Sequence, residues 1–209
     1  MNKRIKIITW WIFAICSTLI GLYPIIYFLI DRRFGLLSFK SQEILSSISW
    51  NIGFYGHIVL GGLALTIGWI QFSKKIRLKN LNLHRRIGKV YTLAALISGV
   101  CGLYIAFFAT GGFISTLGFG LLAVLWIWTS FMGYRSAKKG NIQVHENFMI
   151  ISYSCCFAAV TLRIWLPILV AIFGEFIVAY QIVAWLCWVP NLFVGLLIIR
   201  YRMNMGNQK

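Results

Sequence analysis

Few residues of the chain can carry chemistry, because it contains only three histidines and four acidic residues. In chain order these are Asp31, Glu43, His57, His84, His145, Glu146 and Glu175. Neutral imidazoles ligate haem iron and other metals, and a nearby carboxylate can add an oxygen ligand. Any catalytic or metal site that uses such groups therefore has to be drawn from this short set.

His84 and His145 each stand at the start of an apolar run and close to basic residues, which puts both near the same membrane face. Two neutral imidazoles from facing helices can ligate a haem iron from both sides, and Glu146 could join them at a metal. We therefore expect His84 and His145 to be cofactor ligands, with haem as the candidate cofactor. The alternative is that each histidine contacts lipid headgroups or caps its helix.

Arg163 lies within an apolar run, about 15 residues beyond Phe148. At 1.5 Å per helical residue this is about 22 Å into the membrane, where a guanidinium usually faces a bundle interior, an aqueous cavity or an anion. His57, Asp31 and Glu175 lie toward the same side. We predict a pocket in which Arg163 binds an anionic or carbonyl-bearing ligand and His57 exchanges a proton. The alternatives are snorkelling of Arg163 to the headgroups or an ion pair with Glu175.

The elements that position these residues must be helices in lipid, because 60% of the 209 residues are hydrophobic and only 11% are charged. A bilayer core about 30 Å thick takes about 20 apolar residues per crossing. The apolar runs of this length are residues 8–30, 52–72, 88–109, 113–134, 148–173 and 179–199. The sequence therefore predicts an all-α, polytopic bundle of six transmembrane helices that forms a single domain over residues 1–209.

The basic residues predict the orientation of the bundle. If the N-terminus is cytoplasmic, 16 of the 20 lysines and arginines lie on the cytoplasmic side, and the opposite loops hold Arg32, Arg33 and Lys40. Cytoplasmic loops carry the excess of Lys and Arg, so we predict cytoplasmic N and C termini. The lipid bilayer is then the expected partner and nucleic acid is not, since a nucleic-acid surface would need one contiguous basic face. A membrane protein partner stays open.

Short motifs of histidine, glycine and aromatic residues follow one another at characteristic spacings. In chain order they are His57-Ile58, Gly61-Gly62, Gly68-x-x-Gln71-Phe72, Leu83-His84-Arg85-x-x-Gly88-x-x-Tyr91, His145-x-x-x-Met149 and Thr161-Leu162-Arg163. Over about residues 50–195 their order resembles a bacterial family of predicted membrane proteins, domain of unknown function 2306, with the helix at 8–30 outside the match. The resemblance implies a bacterial cytoplasmic membrane as the location. It also implies that the three histidines and Arg163 are signature positions, and it implies no activity.

Three functions are compatible with these features, and the sequence does not decide whether the protein is an enzyme. The first is a membrane-embedded redox or cofactor-binding module for haem or a quinone, with His84 and His145 as ligands. The second is a small transporter or a lipid- or anion-binding protein that uses a pocket around Arg163. The third is a non-catalytic subunit or assembly factor of a membrane complex. The sequence contains no nucleophile elbow, P-loop, dinucleotide fingerprint or HExxH motif.

Overall fold

The computed structural model describes residues 3–30, 33 and 35–206, and the secondary structure of this part of the chain is helical. Six helical segments are long and apolar enough to cross a membrane, which confirms the six predicted helices. We call them spans one to six, and they are Arg4–Leu29, Ile48–Phe72, Leu81–Ala106, Gly112–Lys138, Ile142–Phe173 and Phe176–Met205.

Spans one, two, five and six are each built from more than one helical piece. The pieces are Lys3–Leu22, the 3-10 turn Tyr23–Ile25 and Ile26–Leu29; Ile48–Gly68 and the 3-10 turn Trp69–Phe72; Ile142–Cys156 and Ala158–Phe173; and Phe176–Leu186 and Val189–Gly206. Pro24 explains the first interruption, because a proline lacks the N–H that would continue the helical ladder. Short connecting helices occupy Gly35–Phe39, Gln42–Ser46 and Lys74–Lys79.

Several helices are longer than hydropathy predicted. Span three begins at Leu81 rather than near residue 88, and span four continues to Lys138 rather than ending near 134. The Asn80 side chain caps span three by accepting a hydrogen bond from the Leu83 N–H at 2.9 Å. Hydropathy marks only the part of a helix inside the hydrocarbon core, whereas the helix itself continues through the headgroup layer, where lysine and arginine are solvated.

The spans pack mainly against their neighbours in the chain, and span six also packs against span four. Spans one and two approach backbone to backbone: a Cβ added at Gly62 would lie only 2.4 Å from the Gly21 carbonyl oxygen. Small residues permit such close approach, and close packing is the main source of helix association in lipid. Span one, which precedes the predicted family-like region, is thereby joined to the rest of the bundle.

The two ends of the bundle differ in charge. The beginning of span one, the end of span six and the connections 73–80 and 139–141 lie at one end, which we call the basic end. The opposite end, which we call the loop end, holds the connection that includes residues 35–46 and the turns at Gly111 and Gly174. Both glycines adopt positive φ angles, +91° and +68°, that other residues rarely accept in such tight turns. Which end faces the cytoplasm stays a prediction.

Candidate functional site

A cavity of about 230 Å³ lies inside the bundle, and we call it the central cavity. It extends from Lys40 at the loop end to Trp126 in the interior of span four. Its lining is mostly apolar or aromatic, and the charged or ionisable groups that reach it include His57, Arg163 and Tyr27. The structure therefore brings His57 and Arg163, both predicted as pocket residues, to one cavity.

His57 is held in a defined orientation by span three. Its Nδ1 lies 3.0 Å from the Ser98 carbonyl oxygen, and the Ser98 hydroxyl donates to the His57 carbonyl oxygen at 2.8 Å. A carbonyl oxygen only accepts, so Nδ1 carries the proton and Nε2 of the neutral ring is left as an acceptor. Gly102 provides the space, since a Cβ there would lie 2.7 Å from Nδ1. The second ring nitrogen thus remains free for a ligand.

The Arg163 guanidinium is held by a backbone carbonyl and an aromatic ring, and not by a carboxylate of the described residues. Its Nη1 donates to the Ala159 carbonyl oxygen at 2.9 Å, and its guanidinium carbon lies 4.4 Å from the centroid of the Tyr23 ring. Its Nε is buried and makes no hydrogen bond, and no carboxylate among the described residues pairs with it. Glu175 is exposed and forms no ion pair with Arg163. The predicted neighbour Asp31 lies outside the described residues.

Other lining residues of the central cavity were not found from the sequence. Cys155, Cys156 and Cys187 all line it. The contact between Tyr23 and Arg163 was also missed, because it joins spans one and five. No spacing rule within a single helix could have signalled either feature.

A second cavity of about 490 Å³, the basic-end cavity, lies at the other end of the bundle. His84 and His145 both line it, so the structure places the two predicted cofactor ligands at one site. Five cationic side chains line the same cavity, namely Arg77, Arg85, Lys89, Lys138 and Arg202. His57 lines the central cavity instead, and the described residues contain no cluster of three or more potential metal ligands.

The groups beside His145 are already engaged. Its Nδ1 lies 2.8 Å from the Gly133 carbonyl oxygen, which leaves Nε2 as the free nitrogen. Glu146, which the sequence suggested as a third ligand, accepts from Arg77 at 2.8 Å and also pairs with Arg202. Metal-bound histidines commonly donate their other N–H to a carbonyl in this way, but the Glu146 carboxylate is neutralised by two arginines.

A hydrogen-bonded layer joins residues that line the two cavities. Tyr91 and Tyr153 line the basic-end cavity, and Trp126 lines the central cavity. The Trp126 indole N–H points to the Tyr91 hydroxyl at 3.5 Å, and that hydroxyl lies 2.8 Å from the Ser152 hydroxyl. Ser152 in turn lies 2.7 Å from the Ser130 hydroxyl. Buried polar groups cost stability unless they are paired, so this layer fixes spans three, four and five against one another.

One cation at the loop end is partly desolvated. Lys40 reaches the central cavity, and its ammonium group donates to the Phe108 carbonyl oxygen. Burial lowers the pKa of Lys40 below its ordinary value of 10.5, because the charged form is the one that loses solvation. The mouth of the central cavity therefore carries a positive charge whose proton is held less firmly than in water.

Comparison with known sequences identifies a family for this chain, and the family description names no ligand. A family described as "Predicted membrane protein (DUF2306)" matches residues 54–199, a segment that contains His57, His84, His145 and Arg163. The match confirms the resemblance of the motifs. No curated protein and no solved structure matches the chain. The function therefore has to be argued from the two cavities.

Proposed function

We propose that this chain, which belongs to the DUF2306 family of predicted membrane proteins, binds a small amphipathic ligand in the central cavity. The ligand places an anionic or carbonyl-bearing head at Arg163 and an apolar body against the lining. The observation that carries this proposal is the Arg163 guanidinium, which reaches a cavity and pairs with no carboxylate among the described residues. Binding of such a ligand is common to a quinone-binding module and to a carrier of lipid-like anions, so the proposal covers both.

An unpaired guanidinium in the membrane interior is costly. The effective penalty for desolvating one ion is several kcal/mol, and side chains of this kind in transmembrane segments usually face a cavity or a partner. Stacking on Tyr23 and the bond to Ala159 offset part of this cost, yet the buried Nε of Arg163 has no acceptor among the described residues. A carboxylate or carbonyl oxygen of a ligand would supply that acceptor, and charge-assisted hydrogen bonds of this type are the strong ones.

His57 gives the ligand head a second contact. Its free Nε2 accepts a hydrogen bond from a protonated head, and it donates one to a carbonyl if the ring takes up a proton. The cavity volume of about 230 Å³ limits the size of the ligand, because pockets for drug-sized molecules occupy about 300–1,000 Å³. The central cavity therefore suits a small molecule or the head of a larger lipid-like one.

A ligand-dependent change in tryptophan fluorescence, as quenching or as a shift of the emission, tests the proposal because Trp50 and Trp126 both line the cavity. The protein in phosphatidylcholine nanodiscs is titrated with decylubiquinone as a carbonyl probe and with decanoate as a carboxylate probe. We expect at least one probe to bind saturably and Arg163→Gln to weaken it by about tenfold or more, the usual effect of losing a hydrogen bond to a charged group. Arg135→Gln, an exposed charge outside the cavity lining, is the matched control. Equal affinity of the Arg163→Gln variant and the wild type would reject the proposal, as would binding of neither probe.

A second candidate function is haem binding between His84 and His145. Two observations favour it: both histidines line one cavity, and the His145 Nδ1 contact with Gly133 leaves Nε2 available as a ligand. Absorption spectra of protein purified from haem-replete cells, oxidised and reduced, test this candidate. A reducible Soret band that disappears in the His84→Ala/His145→Ala double variant would support it, and a featureless spectrum would remove it.

A further inference from the structure

The basic-end cavity concentrates more positive charge at one place than is needed to set the membrane topology of the helices. Arg85 and Lys89 stand four residues apart on span three, so they share one face of that helix. Lys138 comes from the end of span four, Arg77 from the connection after span two, and Arg202 from span six. Basic residues that only set topology could point anywhere in the headgroup layer, whereas these five line one cavity.

The single carboxylate of this cavity does not cancel that charge. Glu146 pairs with Arg77 and Arg202, which holds both guanidinium groups at the cavity wall. Arg85, Lys89 and Lys138 have no carboxylate partner among the described residues and line the same space. On one side of the site the arginines are fixed by ion pairs with Glu146. On the other side the cations have no carboxylate partner among the described residues and are available to a ligand.

The geometry points to a binding site for a phosphate group in the basic-end cavity. Arginine and lysine are the side chains that recognise phosphate, and a phosphate offers several acceptor oxygens to cations that converge from different elements. The phosphate belongs either to a lipid headgroup or to a free phosphate compound, since the same cations serve both. This inference does not rest on the proposed ligand of the central cavity.

Gln71 and Gly88 shape the floor of the cavity. Gln71 lines the cavity, and its Oε1 is buried without a hydrogen-bond partner in the part of the chain that the structure describes. A Cβ at Gly88 would lie 3.7 Å from that oxygen, so the glycine leaves the amide uncovered by a side chain from span three. The hydroxyl of a singly protonated phosphate, or of a glycerol headgroup, can donate to Gln71 Oε1. The cavity thus offers cations for the anionic oxygens and an acceptor for a hydroxyl.

The phosphate proposal competes with haem for the same space. Haem requires free Nε2 atoms on both His84 and His145 and a wide apolar surface on each side of the ring. In this cavity five cations, a carboxylate and an amide stand among the aromatic and apolar lining residues. Haem propionates could pair with some of the cations. For this reason the absorption spectrum forms part of the test.

Full-length protein in phosphatidylcholine nanodiscs is titrated with potassium phosphate, and its unfolding temperature is compared with that in potassium chloride at equal ionic strength. A second arm counts phosphatidylglycerol molecules that remain bound in native mass spectra after competition with oleate, an anionic lipid without phosphate. The test variant is Arg85→Gln/Lys89→Gln. The control variant is Lys74→Gln/Lys75→Gln, which removes the same charge from exposed residues outside the cavity lining.

We expect one arm to give binding that is weakened about tenfold or more in the cavity variant and unchanged in the control, as for loss of hydrogen bonds to a charged group. An effect of potassium phosphate assigns the site to a free phosphate compound, and selective retention of phosphatidylglycerol assigns it to a lipid headgroup. Equal losses in both variants would mean that the basic end attracts anions only through its overall charge. That result would overturn the proposal, as would binding in neither arm or a Soret band that depends on His84 and His145.

Discussion

The guanidinium carbon of Arg163 in span five lies 4.4 Å from the centroid of the Tyr23 ring in span one. A cation over an aromatic face contributes about 2 kcal/mol when it is desolvated, which offsets only part of the several kcal/mol that burying an ion costs. Span one lies outside the residues that match the family, so this contact joins an element outside the match to a residue inside it. A ligand that pairs with the Arg163 guanidinium would offset the remaining free-energy cost of burying it.

Replacing Arg163 with methionine should leave the ligand-free protein unchanged or stabilise it by up to about 3 kcal/mol, because removing a poorly compensated charge relieves its desolvation. The same variant should lose binding of the fluorescence probe that the wild type binds. Thermal unfolding in phosphatidylcholine nanodiscs without added probe measures the first effect. Strong destabilisation of Arg163→Met would instead mean that the arginine holds the bundle together, and a Tyr23→Leu variant would then show a similar loss.

Hydropathy predicted the six spans because each needs about 20 apolar residues, and this requirement can be read along the chain. The common location of His57 and Arg163 followed from counting residues from the ends of the apolar runs, and so did the common end of His84 and His145. The partners of these residues could not be predicted in the same way. The contacts of Arg163 with Tyr23, and of Glu146 with Arg202, depend on which helices pack together and on their rotation, and neither is encoded in local spacing.

Gly68→Ala should destabilise the bundle by about 1–3 kcal/mol, the usual cost of overpacking. A Cβ at Gly68 would lie 2.3 Å from the Tyr153 ring and 2.9 Å from the Tyr91 ring, and Tyr91 belongs to the hydrogen-bonded layer. The matched control is Gly120→Ala, where the nearest atom would be 3.9 Å away and the higher helix propensity of alanine should be neutral or stabilising. Unfolding temperatures of the two variants in the same lipid measure the difference. Similar behaviour of both would show that the layer can open to accept a methyl group.

Ser152→Ala should cost about 1–3 kcal/mol, because it removes the hydroxyl that joins Tyr91 to Ser130 and leaves buried polar groups without that partner. Ser154→Ala is the control, since the Ser154 hydroxyl bonds only to the Ile150 carbonyl oxygen of its own helix. Chemical unfolding in mild detergent should separate the two variants. Equal stability of the Ser152→Ala variant and the wild type would show that water replaces the missing hydroxyl.

Lys40 should make stability depend on pH at alkaline values. Burial lowers its pKa in the folded protein, so between that pKa and 10.5 the unfolded chain binds more protons than the folded one. Stability from this group then rises with pH, and the cost of burying the charge is fully present below the folded pKa. The stability of Lys40→Met relative to the wild type should therefore be highest near neutral pH and should decline as the pH approaches 10.5. A constant difference between the two proteins from pH 7 to 10.5 would contradict this expectation.

The charge difference between the two ends predicts that the basic end faces the cytoplasm. Ser38→Cys at the loop end and Lys139→Cys at the basic end introduce thiols at exposed positions, whereas the native cysteines are buried or partly buried. In intact bacterial cells a membrane-impermeant maleimide should label Ser38→Cys, and it should label Lys139→Cys only after the cells are permeabilised. The wild-type protein measures the background from the native thiols.

The opposite labelling pattern would reverse the assignment of both cavities. The central cavity would then lie toward the cytoplasm, and the cations around Arg85 and Lys89 would face the outside. In that case a cytoplasmic phosphate compound could not be the ligand of the basic-end cavity, and only a phosphate on the other side of the membrane would fit. The expected pattern instead gives the basic-end cavity direct access to cytoplasmic phosphates and to the anionic lipids of the inner leaflet.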